Sequence, residues 1–229
     1  MMTRVSFILL LLAGSLAMRA EYAARVLAGA ANEAARFVPA SQPATRMAGA
    51  IVHGVVHAQG PFLPAEMVVY LDPMTPMSQP AAPTTRVRVS QKGAQFSPAL
   101  TVVSVGQTVE FVNDEDRPVE HNVFSNALAG RFDLGIFPPG QGRNVVFDKP
   151  GPVVLFCSIH KFMDGVVYVC PAPLFSRVDA DGNYRIEDVP AGKYTLKSWQ
   201  RRRRFPELAV PLDVATGQDV SSDLDLHRK

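Results

Sequence analysis

Residues 152–170, "PVVLFCSIHKFMDGVVYVC", decide the fold. Cys157, His160 and Met163 stand there at every third position, close to the rhythm of one helical face. The flanks oppose that reading. "PVVLF" and "GVVYVC" are β-branched and bounded by Pro150, Pro152 and Gly165, which leaves no room for a helix of ordinary length. The stretch is expected to be two strands joined by a loop, "CSIHKFM". Packing alone gives little reason to put a thiol, an imidazole and a thioether on one loop.

Outward from this stretch the texture is β throughout. "TRVRVS", "FSPALTVVSV", "QTVEFVN", "HNVFS" and "RNVVFD" are short Val/Phe-rich runs punctuated by Gly, Pro, Asn and Asp, a spacing that suits a sandwich or barrel. A second β block follows at 174–226. There "SRVDADGNYRIEDV" predicts a hairpin about an Asp-Gly turn, and "AGKYTLKSW" a further strand. Upstream, residues 49–72 hold two strand-like runs, "AIVHGVVHA" and "AEMVVYL", and "DPMTPMSQPAAP" then reads as a proline-rich connection.

The chain has 229 residues, 47% of them hydrophobic, enough for one large or two small globular domains. A formal net charge of +2 gives no reason to expect nucleic acid as partner, since such binders show a basic face or stripe. Arg4 followed by "VSFILLLLAGSLA" reads as a secretory signal over 1–20, with cleavage after Ala17 or Ala20. That run of 13 residues is short of the ~20 needed to span a bilayer, so no stable membrane span is expected after cleavage; an uncleaved anchor is the alternative. The mature protein is expected outside the cytoplasm, in the periplasm. Residues 21–48 read as a linker or loose helix.

The two cysteines, Cys157 and Cys170, invite a disulfide in an oxidising compartment. The strand "VVYVC" argues against it. At about 3.3 Å per residue it carries Cys170 roughly 15 Å from the loop, whereas bridged Cα atoms lie within about 7 Å. Cys157 is therefore expected to stay free.

Thiolate, imidazole and thioether are soft ligands, and blue-copper sites combine two His and one Cys with a weak axial Met. The loop lacks the second His. His121, about 36 residues upstream in "PVEHNVFS", follows a strand ending at Asn113, where a sandwich can bring it back beside the loop. Zinc is the competing metal, but thioether is a poor zinc ligand and no further Cys-His pair is present to close a tetrahedral site.

The ordered set "FSPALTVVSVGQTVEFVNDE", "HNVFS" and "CSIHKFM" resembles the plastocyanin-like cupredoxins, and its Cys-x-x-His-x-x-Met spacing resembles amicyanin. The resemblance implies a Greek-key β-sandwich over 86–170 holding one type-1 copper ion through His121, Cys157, His160 and Met163. It also implies that Asn122 braces the loop near Ser158, and that His160 and Phe162, with "IFPPG" at 136–140, form the electron port. Ile159 and Lys161 stand where amicyanin has prolines, which implies a less rigid loop.

Residues 174–200 resemble the closing half of a carboxypeptidase-regulatory-like, transthyretin-type sandwich, and 49–71 fit its opening half. The expected fold is thus all-β: a cupredoxin sandwich plus a second small sandwich over 171–229. Residues 49–72 supply the second sandwich's opening strands, with the cupredoxin inserted, or else the cupredoxin's own first strand. The whole order resembles periplasmic proteins labelled methylamine utilisation proteins.

The remaining candidates read as ordinary structure. His53 and His57 share a strand face but stand about 13 Å apart, too far for one ion. Met74 and Met77 belong to the proline-rich connection. "DADGN" lacks the later Glu of an EF-hand loop and reads as a turn. Arg201 to Arg204 read as a solvated strand connection. The function expected first is a periplasmic carrier of single electrons between a dehydrogenase donor and a cytochrome-like acceptor, not an enzyme, in the setting of amine oxidation. The alternative is a non-redox copper-binding or scaffold protein. A copper enzyme such as a multicopper oxidase or nitrite reductase is not expected, because His53, His57 and His227, the histidines left beyond His121 and His160, are too few for a trinuclear cluster and poorly placed for a mononuclear catalytic site.

Overall fold

The computed structural model describes residues 49–58, 66–75 and 83–227. The signal at 1–20, the linker at 21–48 and Met77 lie outside the described residues. The regular elements described are strands. In chain order they are β1 (Ala50–Ala58), β2 (Met67–Pro73), β3 (Val87–Lys92), β4 (Gln95–Ser97), β5 (Leu100–Ser104) and β6 (Gln107–Asn113). Then come β7 (His121–Ala127), β8 (Gly130–Phe137), β9 (Gly142–Phe147), β10 (Gly151–Phe156) and β11 (Asp164–Cys170). The last are β12 (Phe175–Arg177), β13 (Asn183–Val189), β14 (Gly192–Gln200), β15 (Ala209–Val214), β16 (Asp219–Ser221) and β17 (Leu224–Leu226).

Four sheets result, and they pair into two sandwiches. One sheet runs β4-β3-β6-β9 and another β5-β11-β10-β7-β8. Alternation along each strand turns Val89, Phe111, Val123, Phe147, Val153, Leu155, Val167 and Val169 into a shared core between them. The other two sheets run β13-β1-β16, with β17 also on β1, and β12-β2-β14-β15. Their core holds Val52, Val69, Leu71, Tyr184, Ile186, Tyr194 and Leu196. Residues 50–73 therefore pair with strands from 175–226, β1 with β13, β16 and β17, and β2 with β12 and β14.

A third apolar cluster joins the sandwiches. Val68 and Tyr70 of β2 and Trp199 of β14 pack against Leu100 and Val102 of β5 and Val166, Tyr168 and Cys170 of β11. Tyr168 stacks on Trp199 at a centroid separation of 4.3 Å. Burial on both faces explains why "MVVYL" and "GVVYVC" read as unbroken apolar runs instead of alternating ones.

Two local expectations differ from the structure. "SRVDADGNYRIEDV" does turn at Asp179, whose N–H donates to Asn183 O at 2.9 Å, but it is not a two-stranded hairpin. β12 pairs with β2 in one sheet and β13 with β1 in the other, so the turn crosses between layers. The arginine run is not wholly solvated. The Arg201 side chain is only 7% exposed and sits between Glu66 and Asp164, because the chain at the end of β14 passes against the start of β11.

Candidate metal centre

The site lies at one end of the first sandwich, where β10 and β11 close over the loop 157–163. The loop folds on itself through the Met163 N–H, which donates to His160 O at 3.0 Å. Across from it, β7 begins with three consecutive buried residues, His121, Asn122 and Val123. Strict alternation forbids that. The register shift between Asn122 and Phe124 against β8 permits it, a bulge that turns two neighbouring side chains inward at a functional edge.

Both histidines present Nδ1 to the thiol: Cys157 Sγ lies 3.9 Å from His121 Nδ1 and 3.8 Å from His160 Nδ1. The His121 and His160 rings are 4.8 Å apart, centroid to centroid. The three ligand atoms all lie within 4.8 Å of one another, and among the described residues this is the group of His, Cys, Asp and Glu side chains able to hold a metal ion. An ion bound at roughly 2.0–2.3 Å to nitrogen and sulfur would span these separations. Met163, 2% exposed, belongs to the same buried cluster as Cys157.

The surroundings fix the donors. His121 is fully buried, and its Nε2 donates to Glu115 Oε1 at 3.0 Å. A carboxylate only accepts, so the ring proton sits on Nε2 and the Nδ1 lone pair faces Cys157. The His121 hydrogen bond holds the Glu115 carboxyl below its ordinary value, helped by the Gly93 N–H at 2.7 Å. Asn113 holds the turn that carries Glu115, donating to Val119 O and Phe137 O and accepting from the Glu115 N–H. Asn122 Oδ1 accepts from the Ser158 N–H at 2.7 Å and the Ser158 hydroxyl at 3.0 Å, while its Nδ2 donates to Asp133. Strand β8, strand β7 and the ligand loop are thereby linked in one chain of hydrogen bonds.

Outside, apolar side chains stand among the exposed charges of Lys161 and Glu120. Phe162 is 96% exposed, with Ile159 and Ile136 also exposed. An open groove of about 480 Å³ beside the half-buried His160 is lined by Pro118, Pro138, Pro139 and Ile159, among others.

The structure thus brings His121, Cys157 and His160 together, sets Met163 in the same core and bonds Asn122 to Ser158. Glu115 and Asn113 were missed by the sequence reading. The available signal was the run "NDED" at 113–116 just upstream of His121, which supplies acids without saying which one turns inward. The other histidines lie elsewhere: His53 faces Asp219 at 2.9 Å and His57 faces Asp223 at 3.9 Å. Met74 is exposed. Cys157 and Cys170 are both free and buried, and burial pushes the Cys170 thiol up to about 12.

The first sandwich thus carries at one end a His-Cys-His cluster in which His121 and Cys157 are buried and His160 is half-buried. Several solved structures are similar to part of this chain. A purple cupredoxin from Nitrosopumilus maritimus is 26% identical over 36% of this chain and 98% of its own, with a TM-score of 0.33. A copper-containing nitrite reductase from Thermus scotoductus SA-01 is 25% identical over 50% of this chain but 28% of its own, with a TM-score of 0.36. An amicyanin variant in its reduced state is 22% identical over 44% of this chain and 97% of its own, with a TM-score of 0.33. No family model matches the chain, and no curated protein does.

Proposed function

We propose that this chain is a type-1 copper protein that carries single electrons, with His121, Cys157, His160 and Met163 as ligands of one ion. The observation that carries the proposal is the convergence of two imidazole Nδ1 atoms on one buried cysteine sulfur at 3.8 and 3.9 Å, with a buried methionine in the same cluster. The thioether is a poor ligand for zinc, and a thiolate with two imidazoles is softer than magnesium sites favour. Copper held there would supply a one-electron couple. The protein's own work is to keep the donors in place in both oxidation states. Glu115 sets the His121 tautomer, Asn122 anchors Ser158, and the turn closed by Met163 N–H sets the loop.

The exposed Phe162 and Ile159, with the Pro138–Pro139 edge beside His160, form an apolar rim that suits short-lived docking of a redox partner. A dehydrogenase donor and a cytochrome-like acceptor, a periplasmic location and a place in amine oxidation belong to this reading, as does a carrier role in preference to catalysis. His53 and His57, on β1, face Asp219 and Asp223.

The test is direct. Purified protein is expected to take up one copper(II) and show an intense visible thiolate-to-copper band, absent in Cys157→Ser while the far-UV spectrum is unchanged. A colourless copper adduct, or preferential retention of zinc, would overturn the reading.

A further inference from the structure

The ligand loop is held from the second sandwich as well as from its own. At the end of β14, Arg201 donates through its N–H to Glu66 O at 3.0 Å and through Nη1 to Glu66 Oε1 at 2.5 Å. Its Nη2 reaches Asp164, bonding the carboxylate Oδ2 and lying 3.5 Å from the backbone carbonyl. The side chain is 7% exposed, against 57% for Asp164, so the guanidinium is the fixed member and Asp164 the group it holds. Asp164 directly follows Met163 and opens β11 opposite Phe156. The guanidinium's planar fork engages two carboxylates at once, which a lysine ammonium cannot reproduce in the same geometry.

From this we infer that Arg201 is a positioning residue for the Met163 end of the metal loop, so that the second sandwich sets how firmly the thioether is presented. The inference rests on the copper reading above for its consequence, though not for the brace itself. The loop's own ties, Asn122 to Ser158 and Met163 N–H to His160 O, hold its beginning and its last turn, and β10 pairs Phe156 with Asp164. From the second sandwich, Arg201 adds a side-chain hold on the exit. Ile159 and Lys161 leave the loop without internal prolines, and a clamp at the exit supplies from outside the rigidity that proline would supply from within.

The experiment compares Arg201→Gln and Asp164→Asn with the unaltered protein. The second variant removes the charge only at the exposed partner and leaves the Arg201–Glu66 pair. In metal-free protein, amide hydrogen exchange is expected to quicken roughly tenfold or more at Met163 and Asp164 and to stay unchanged at Val167 and Val169. In copper-loaded protein the visible band is expected to persist with altered relative intensities of its components, and the reduction potential is expected to shift. Exchange that is unchanged, or that quickens equally along β11, would overturn the inference, as would a spectrum and potential identical to those of the unaltered protein. If the unaltered protein forms no coloured copper site, the carrier reading fails, and the metal-free exchange pattern alone then decides the brace.

Discussion

The two nitrogens of His121 do different work. Nε2 is committed to Glu115, which leaves Nδ1 as the atom of this ring that faces Cys157. The donor types of the candidate site were legible because a loop of seven residues between two apolar strands presents a thiol, an imidazole and a thioether whatever the rest of the fold does. Glu115 was not legible, since three acids follow Asn113 in a row and only the turn stapled by Asn113 selects one. Cys170 makes a residue-scale prediction. Burial raises its thiol from an ordinary 9.0 to about 12, so the native state keeps the proton while the unfolded chain releases it. Its contribution to stability is complete below pH 9 and is lost as pH rises toward about 12. Denaturant unfolding at pH 7–11 is expected to show a shallower alkaline decline in Cys170→Ala than in the unaltered protein; equal slopes would contradict the assignment.

Among the elements, β1 is the most constrained. It pairs antiparallel with β13 on one side and parallel with β16 and then β17 on the other. The change of partner occurs where Ser222 N–H donates to His53 O at 2.9 Å. A Cβ on Gly54 would come 2.2 Å from Ser222 O, a backbone atom that cannot step aside. Gly54→Ala is therefore expected to cost about 1–3 kcal/mol by overpacking. Thermal unfolding should show that loss, while the copper uptake proposed for the other sandwich should be unaffected. The sequence "AIVHGVVHA" announced a strand through its alternation. Its local pattern left open which of two sandwiches it would join, because pairing partners well over a hundred residues away leave no local mark.

At the scale of the molecule, the two sandwiches share the cluster around Tyr168 and Trp199. The chain's one tryptophan sits in that junction, so its fluorescence reports on it directly. Urea unfolding followed by fluorescence and by far-UV signal is expected to give coincident transitions. Tyr168→Ala, which empties the ring stacked on Trp199, is expected to cost about 3–5 kcal/mol and to separate the two curves. Coincident curves in the variant would mean that cooperativity does not pass through this contact. The Arg201 bridge to Glu66 and Asp164 lies on the polar side of the same junction. It therefore ties the metal loop to the stability of the junction.

Local chemistry determined the β texture, the boundaries of the proline-rich connection, the soft ligand set and the loop that carries most of it, because strand period and residue type act over a few neighbouring positions. Tertiary structure decided the rest: which acid orients His121, the crossing of the Asp179 turn between layers, the sheet that β1 enters, and the burial of Arg201 beside Asp164. Each of these joins residues far apart in the chain, where folding and not sequence proximity sets the distance.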